Sequence, residues 1–130
     1  MPPTRATSML MLNSGNVTWT NMPTAATELF GNVHRRAKVH LVDVDQVRLV
    51  ARVSTAGATN AVIRAQYSTD ESAWNTLTTD LGINGTASTR ASAWQACPAG
   101  AKGEVYVRVM GQSEDGALDP VLGNIYLEYR

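Results

Sequence analysis

The chain has one cysteine, two histidines, one phenylalanine, two lysines and no long apolar run in its 130 residues. Cys97 alone excludes an intrachain disulfide, and its setting between Ala96 and Pro98 reads as a small buried hydrophobe. No stretch approaches the length of a membrane-spanning helix, so no membrane partner is expected. The opening "MPPTRATSMLMLNSGN" has too short an apolar run for a secretory signal. The expectation is a chain made and kept inside a cell, or delivered by something other than its own signal. Acids and bases balance at 11 each, without the basic excess that holds a protein to nucleic acid. An apolar share of 44% with only 17% charged residues excludes extended disorder and permits one domain with its own core.

What the chain does have is arginine: nine of the eleven cations are Arg, and only Lys38 and Lys102 are Lys. Codon bias is the plainer cause. The functional one is that interfaces favour Arg over Lys, because a guanidinium is weakly hydrated and pairs in a planar fork.

Period-two alternation dominates the pattern. In "VDQVRLVARVST", Val47, Leu49, Ala51 and Val53 face one way, and Arg48, Val50 and Arg52 the other. "NAVIRAQYS" sets Ala61, Ile63, Ala65 and Tyr67 against Val62, Arg64 and Gln66. "GEVYVRVMG" turns Val105, Val107 and Val109 inward and Tyr106, Arg108 and Met110 outward, and "GNIYLEYR" sets Ile125, Leu127 and Tyr129 against Tyr126, Glu128 and Arg130. Shorter strands are expected at 8–12, 16–20, 37–43, 74–78 and 91–96. The turn-type separators are "STAGATN", "GINGTAS", "PAGAKG" and "SEDGALDP". One short helix at most is allowed, over residues 23 to 33, where Thr24 caps and Gly31 ends it.

Eight or nine such strands predict an all-β fold, an antiparallel β-sandwich. The strand count favours a jelly-roll-like topology over the Ig-like alternative. Residues 1 to 8 read as an extended N-terminal arm and 9 to 130 as the sandwich domain. If the main strands share a sheet, its outer face is an Arg/Tyr surface suited to a partner protein, the plainer reading being a solvated face.

The chemistry-bearing candidates are few. "YSTDESAWNTL" resembles the Asp-box of sialidase-type propellers in Ser68, Asp70 and Trp74, but Ser72 stands at the glycine position and the spacing is one residue short. What survives is an Asx-type turn ordered by Asp70, with Trp74 anchoring the next strand. Asp43 with Asp45, and Glu114 with Asp115 and Asp119, suggest turns or solvated edges before a Ca²⁺ site, because neither cluster follows a known loop spacing. His34 and His40 do not make a zinc site with a lone thiol. Without a Gly-rich strand-to-helix loop, G-x-S-x-G or H-E-x-x-H, no catalytic, cofactor or metal residue is assigned and no enzyme is expected. Trp19, Trp74 and Trp94 would stack on sugar rings if exposed in one plane; for Trp74 and Trp94 core filling is the plainer role.

From about residue 46 to the end, "DQVRLVARVSTAGATNAVIRAQYSTDESAW" followed by "ASAWQACPAGAKGEVYVRVMGQSEDGALDPVLGNIYLEYR" resembles small β-sandwich virion proteins of tailed bacteriophages, the capsid decoration (cement) proteins and similar accessory proteins. The resemblance implies a non-enzymatic structural role on the virion capsid surface, with synthesis in the host cytoplasm. It implies the major capsid protein as partner and a homo-oligomer, a trimer being favoured. The expected contact residues are Arg5, Met9 and Met11 of the arm region and Arg48, Arg52, Arg64, Tyr106, Arg108 and Tyr126 of the outer face. The competing class is a carbohydrate-binding module or a tail-associated receptor-binding domain, for which carbohydrate would be the ligand.

Overall fold

The computed structural model describes residues 6–30, 36–55 and 60–130. These form two antiparallel sheets. The first holds β1 (Ser8–Asn13), β2 (Val17–Thr18), β5 (Gln46–Thr55), β9 (Gly85–Ala91), β10 (Gln95–Ala96) and β12 (Val121–Tyr129). The second holds β3 (Thr27–Leu29), β4 (Ala37–His40), β6 (Ala61–Ser68), β7 (Asn75–Thr76), β8 (Leu81–Ile83) and β11 (Glu104–Ser113).

Each sheet has two long central strands and edges split into short pieces. In the first, β12 and β5 lie side by side, with β1 and β2 along β12 and β9 and β10 along β5. In the second, β11 and β6 are central, with β3 and β4 on β11 and β7 and β8 on β6. Taking each split edge as one position, the first pairs with the last, the second with the seventh, the third with the sixth and the fourth with the fifth. A long hairpin rolled on itself gives this order, so the sandwich is a jelly roll and not Ig-like.

The alternation read in the sequence sets the core. Val47, Leu49 and Ala51 of β5 and Ile63, Ala65 and Val107 of the second sheet are all fully buried. Gly111 on the inner face of β11 has no room for a side chain: a Cβ there would lie 2.9 Å from Leu29 Cδ1 and 3.0 Å from Met22 Cε. Val50 and Met110 have outward parity but are only 5% and 8% exposed. Val50 sits between Tyr126 and Ala91, and Met110 between Glu28 and Arg64.

Two expectations are corrected. The helix over 23 to 33 does not form over 23 to 30: Thr27–Leu29 is β3, paired with Gly111, Met110 and Val109, while residues 31 to 33 lie outside the described residues. A one- or two-turn helix has a costly nucleus, whereas pairing with a long strand buries Leu29 and satisfies backbone groups directly. The separator "GINGTAS" is largely strand, split between β8 and β9, with the break confined to Asn84 and Gly85 opening β9 at φ +73°. The strand expected at 8–12 forms as β1, with Ser8 opposite Tyr129, while residues 1 to 5 of the expected arm, Arg5 among them, lie outside the described residues.

Candidate protein interface

The expected Arg/Tyr face divides in two. Arg48, Arg52 and Tyr126 stand on the outer face of the first sheet, and Arg64, Tyr106 and Arg108 on that of the second. Alternation fixes that these residues point outward. It does not fix which sheet they leave, and in a jelly roll consecutive strands β5 and β6 lie on opposite sides.

The second sheet's face is bound to itself. Arg36 Nε and Nη2 donate to the two carboxylate oxygens of Glu28 at 3.0 and 2.8 Å, and Arg108 Nη1 reaches the same carboxylate at 3.1 Å. Arg108 Nε and Nη2 donate to Gln66 Oε1 at 3.0 and 2.8 Å. Both guanidiniums stack near Trp74, Arg108 at 4.2 Å and Arg36 at 5.0 Å from the ring centre. Arg64 pairs with Asp80 at 2.6 Å and Gln112 at 3.0 Å. Lys38 covers Tyr106 at 5.2 Å and pairs with Glu104. Partial burial works to raise the Glu28 carboxyl, but the hydrogen bonds and charges of Arg36 and Arg108 outweigh it and hold the pKa below the usual glutamate value.

The first sheet's face is different. Cross-strand register sets Met11, Tyr126, Val50 and Ala91 in one row across β1, β12, β5 and β9. The adjoining row is Met9, Glu128 and Arg48. Met9 is 60% and Met11 48% exposed, so the edge of this face is apolar and open. Arg48 forks onto Glu128 at 2.8 and 2.7 Å and lies 4.5 Å from the Trp94 ring centre. Arg130 lies 4.1 Å from the same ring and donates to Gln46 Oε1 at 2.8 Å. Arg52 is exposed and, among the described residues, has no ion pair or hydrogen bond from its side chain.

Beside Arg52 runs a groove of about 260 Å³, lined by Asn16, Arg52, Thr89, Asn124 and Tyr126. Pairing of β12 with β5 is irregular between Leu122 and Ile125, and the buried Gly123 lies in that irregularity. A Cβ on Gly123 would come within 3.1 Å of Asn16 Oδ1 and 3.2 Å of Arg52 Cβ. The bare glycine therefore lets Asn16 and Arg52 close in on the β12 backbone.

No family model matches the chain. No curated protein matches it. Among solved structures, a chain in "Structure of infectious bursal disease virus Gx strain" is similar at TM-score 0.45 and 9% identity, over 95% of this chain and 36% of that one. This chain thus spans just over a third of its neighbour's length. Neither the identity nor the TM-score ties it to that protein's role.

Asp70, Asp115 and Asp119 each accept hydrogen bonds from backbone N–H groups. Asp70 Oδ1 accepts the Ser72 and Ala73 N–H groups at 2.8 and 3.0 Å, and Ser68 Oγ accepts those of Asp70 and Glu71 at 3.2 and 2.8 Å. The Ser72 and Ala73 N–H groups, with the Ser68 hydroxyl, hold the Asp70 pKa below its ordinary value. Asp119 accepts the Asn21 N–H at 2.7 Å, Asp115 the Ala117 N–H at 2.9 Å, and Glu114 the Asn60 amide at 3.1 Å. Among the described residues no group of three His, Cys, Asp or Glu is placed to hold a metal ion. His34 lies outside the described residues, and His40 is exposed on β4. Burial raises the Cys97 thiol pKa, with Asp45 adding to it and Lys102 opposing.

Trp74 and Trp94 are not core residues, contrary to expectation: each is half-buried on an outer face among arginines. Trp19 packs against the core, edge-on to Phe30 at 6.3 Å. The three indoles thus share no plane. Sequence reading missed the groove residues Asn16, Thr89 and Asn124. The available signal was "GN" at 123–124 inside an otherwise alternating strand, a mark of a bulge.

Proposed function

We propose that this chain is a non-enzymatic structural protein that docks on the assembled capsid of a tailed bacteriophage through the outer face of its first sheet. The observation that carries the reading is the contrast between the two faces. On the second, Arg36, Arg64 and Arg108 each have a carboxylate within the chain. On the first, exposed Met9 and Met11 adjoin Tyr126 and Arg52, which has no ion pair among the described residues. Exposed methionine, tyrosine and arginine together suit a protein partner, since each adds contact area or directed hydrogen bonds on desolvation. The phage shell as that partner rests on the sequence resemblance over residues 46 to 130.

The mechanism is mass action. A protein that binds only the assembled shell stabilises it by about 2.7 kcal/mol per site when its free concentration is 100 times the dissociation constant. A homo-oligomer, with a trimer favoured, multiplies those contacts through effective concentration. The working location is the capsid surface, after synthesis in the host cytoplasm. Carbohydrate binding is the weaker reading, because Trp74 and Trp94 lie on opposite faces, each under two guanidiniums.

The test is co-sedimentation of the purified chain with undecorated shells, assembled from the major capsid protein encoded in the same gene cluster. Saturable binding to shells and none to free capsid subunits is expected. Absence of binding to the shells overturns the reading.

A further inference from the structure

The groove on the first sheet gathers hydrogen-bond donors from four side chains, Asn16, Arg52, Thr89 and Asn124. Arg52 presents a guanidinium fork with no partner among the described residues. Asn124 Oδ1 already accepts the Gly15 N–H at 2.9 Å, which orients the amide and leaves its NH₂ as the free end. Asn16 adds a second amide and Thr89 a hydroxyl, while Tyr126 forms part of the wall. Among the described residues no carboxylate lines the groove. Elsewhere on the faces Arg36, Arg48, Arg64 and Arg108 each meet Glu or Asp inside the chain.

A fork of donors at the edge of an apolar row, with the acid missing, is half of a charge-assisted pair. We infer that this groove takes an aspartate or glutamate side chain of the partner protein, its carboxylate on Arg52 and the Asn124 amide and its stem against Tyr126. The carboxylate follows from the groove itself, while its origin in a protein rests on the docking role proposed above. Register favours that origin: Arg52 and Thr89 form the row next to Met11, Tyr126, Val50 and Ala91, so one partner would cover both. The planar guanidinium also sets specificity, because Arg52→Lys would keep the charge and lose the bidentate fork.

The experiment is a titration of ¹⁵N-labelled protein, following the Arg52 Nε–H and the Asn16 and Asn124 side-chain amides by NMR. The probes are N-acetylglutamic acid α-amide, its neutral glutamine counterpart and glucuronate. Expected are shifts at all three groups with the glutamate probe in the millimolar range, none with the glutamine probe, and loss of the response in Arg52→Gln. Arg52→Lys should retain a weaker response without the Asn124 shift. No response to glutamate, or an equal response to glutamine, overturns the inference. A stronger response to glucuronate than to glutamate overturns the protein origin of the acid.

Shell binding separates this inference from the docking role. If wild-type protein binds shells and Arg52→Glu binds them equally well, the groove assignment falls and the docking role stands. If wild type ignores shells while the titration succeeds, the docking role falls and the carboxylate site stands.

Discussion

The Arg108 guanidinium lies 4.2 Å from the centre of the Trp74 ring while one of its nitrogens holds Glu28 at 3.1 Å. Arg36 meets the same ring and the same carboxylate, so one tryptophan and one glutamate join β3, β11 and the Ser68–Trp74 turn. Trp74→Ala is expected to lower stability by about 1–2 kcal/mol, from lost area and lost cation–π contact. Urea denaturation measures it, and a double-mutant cycle with Arg108→Met should return a coupling of about 1 kcal/mol. Additive single effects would mean the stacking contributes nothing.

Arg108→Lys is expected to be nearly as damaging as loss of the ring. Lysine cannot fork onto Gln66 at 3.0 and 2.8 Å and also reach Glu28. The expected loss is about 1–2 kcal/mol by chemical denaturation. The Arg-for-Lys preference in the composition gains a structural cause here, since Trp94 is stacked in the same way by Arg48 and Arg130.

Acidification should weaken the second sheet's face through Glu28. Its pKa is lowered in the folded protein, so in the acid range the unfolded chain binds more protons and stability rises with pH. The contribution is complete above the unfolded value and is lost as pH falls through the lowered folded one. Denaturation midpoints between about pH 6 and 3 should fall less steeply for Glu28→Gln than for wild type. Parallel profiles would contradict the assignment.

Gly111→Ala should cost about 1–3 kcal/mol by overpacking, because its Cβ would lie 2.9 Å from Leu29 Cδ1 and 3.0 Å from Met22 Cε. Gly82→Ala is the control, with nothing within 4 Å of its Cβ. Thermal melting distinguishes the two. Equal melting temperatures would show that β3 gives way without cost.

Much of this architecture was legible in the residues. Val47 to Val53, Ala61 to Tyr67 and Val105 to Val109 alternate because each long strand has one face in the core, and, Val50 apart, their burial follows that parity. Thr24 and Gly31 carried real helix-boundary signals, yet residues 27 to 29 pair with β11, since tertiary pairing outweighs a local preference in so short a segment. Gly82, Asn84 and Gly85 read as a turn, yet the chain leaves strand structure there only at Asn84. Asp70 and Ser68 kept the local role expected of them, because an Asx turn is made by neighbours in sequence. The division of the Arg/Tyr set and the Arg52 groove were not legible. Both depend on which strands become neighbours after the chain rolls, and alternation is silent on that.

The claim that the first sheet's outer face is the docking surface is tested most directly by electron cryomicroscopy of undecorated shells mixed with the chain. Density is expected at regular shell positions with Met11, Tyr126 and Arg52 turned toward the capsid. That density should be lost for Met11→Glu and kept for Lys38→Ala, whose side chain is exposed on the opposite sheet. Bare shells, or density that persists with Met11→Glu and disappears with Lys38→Ala, would contradict it.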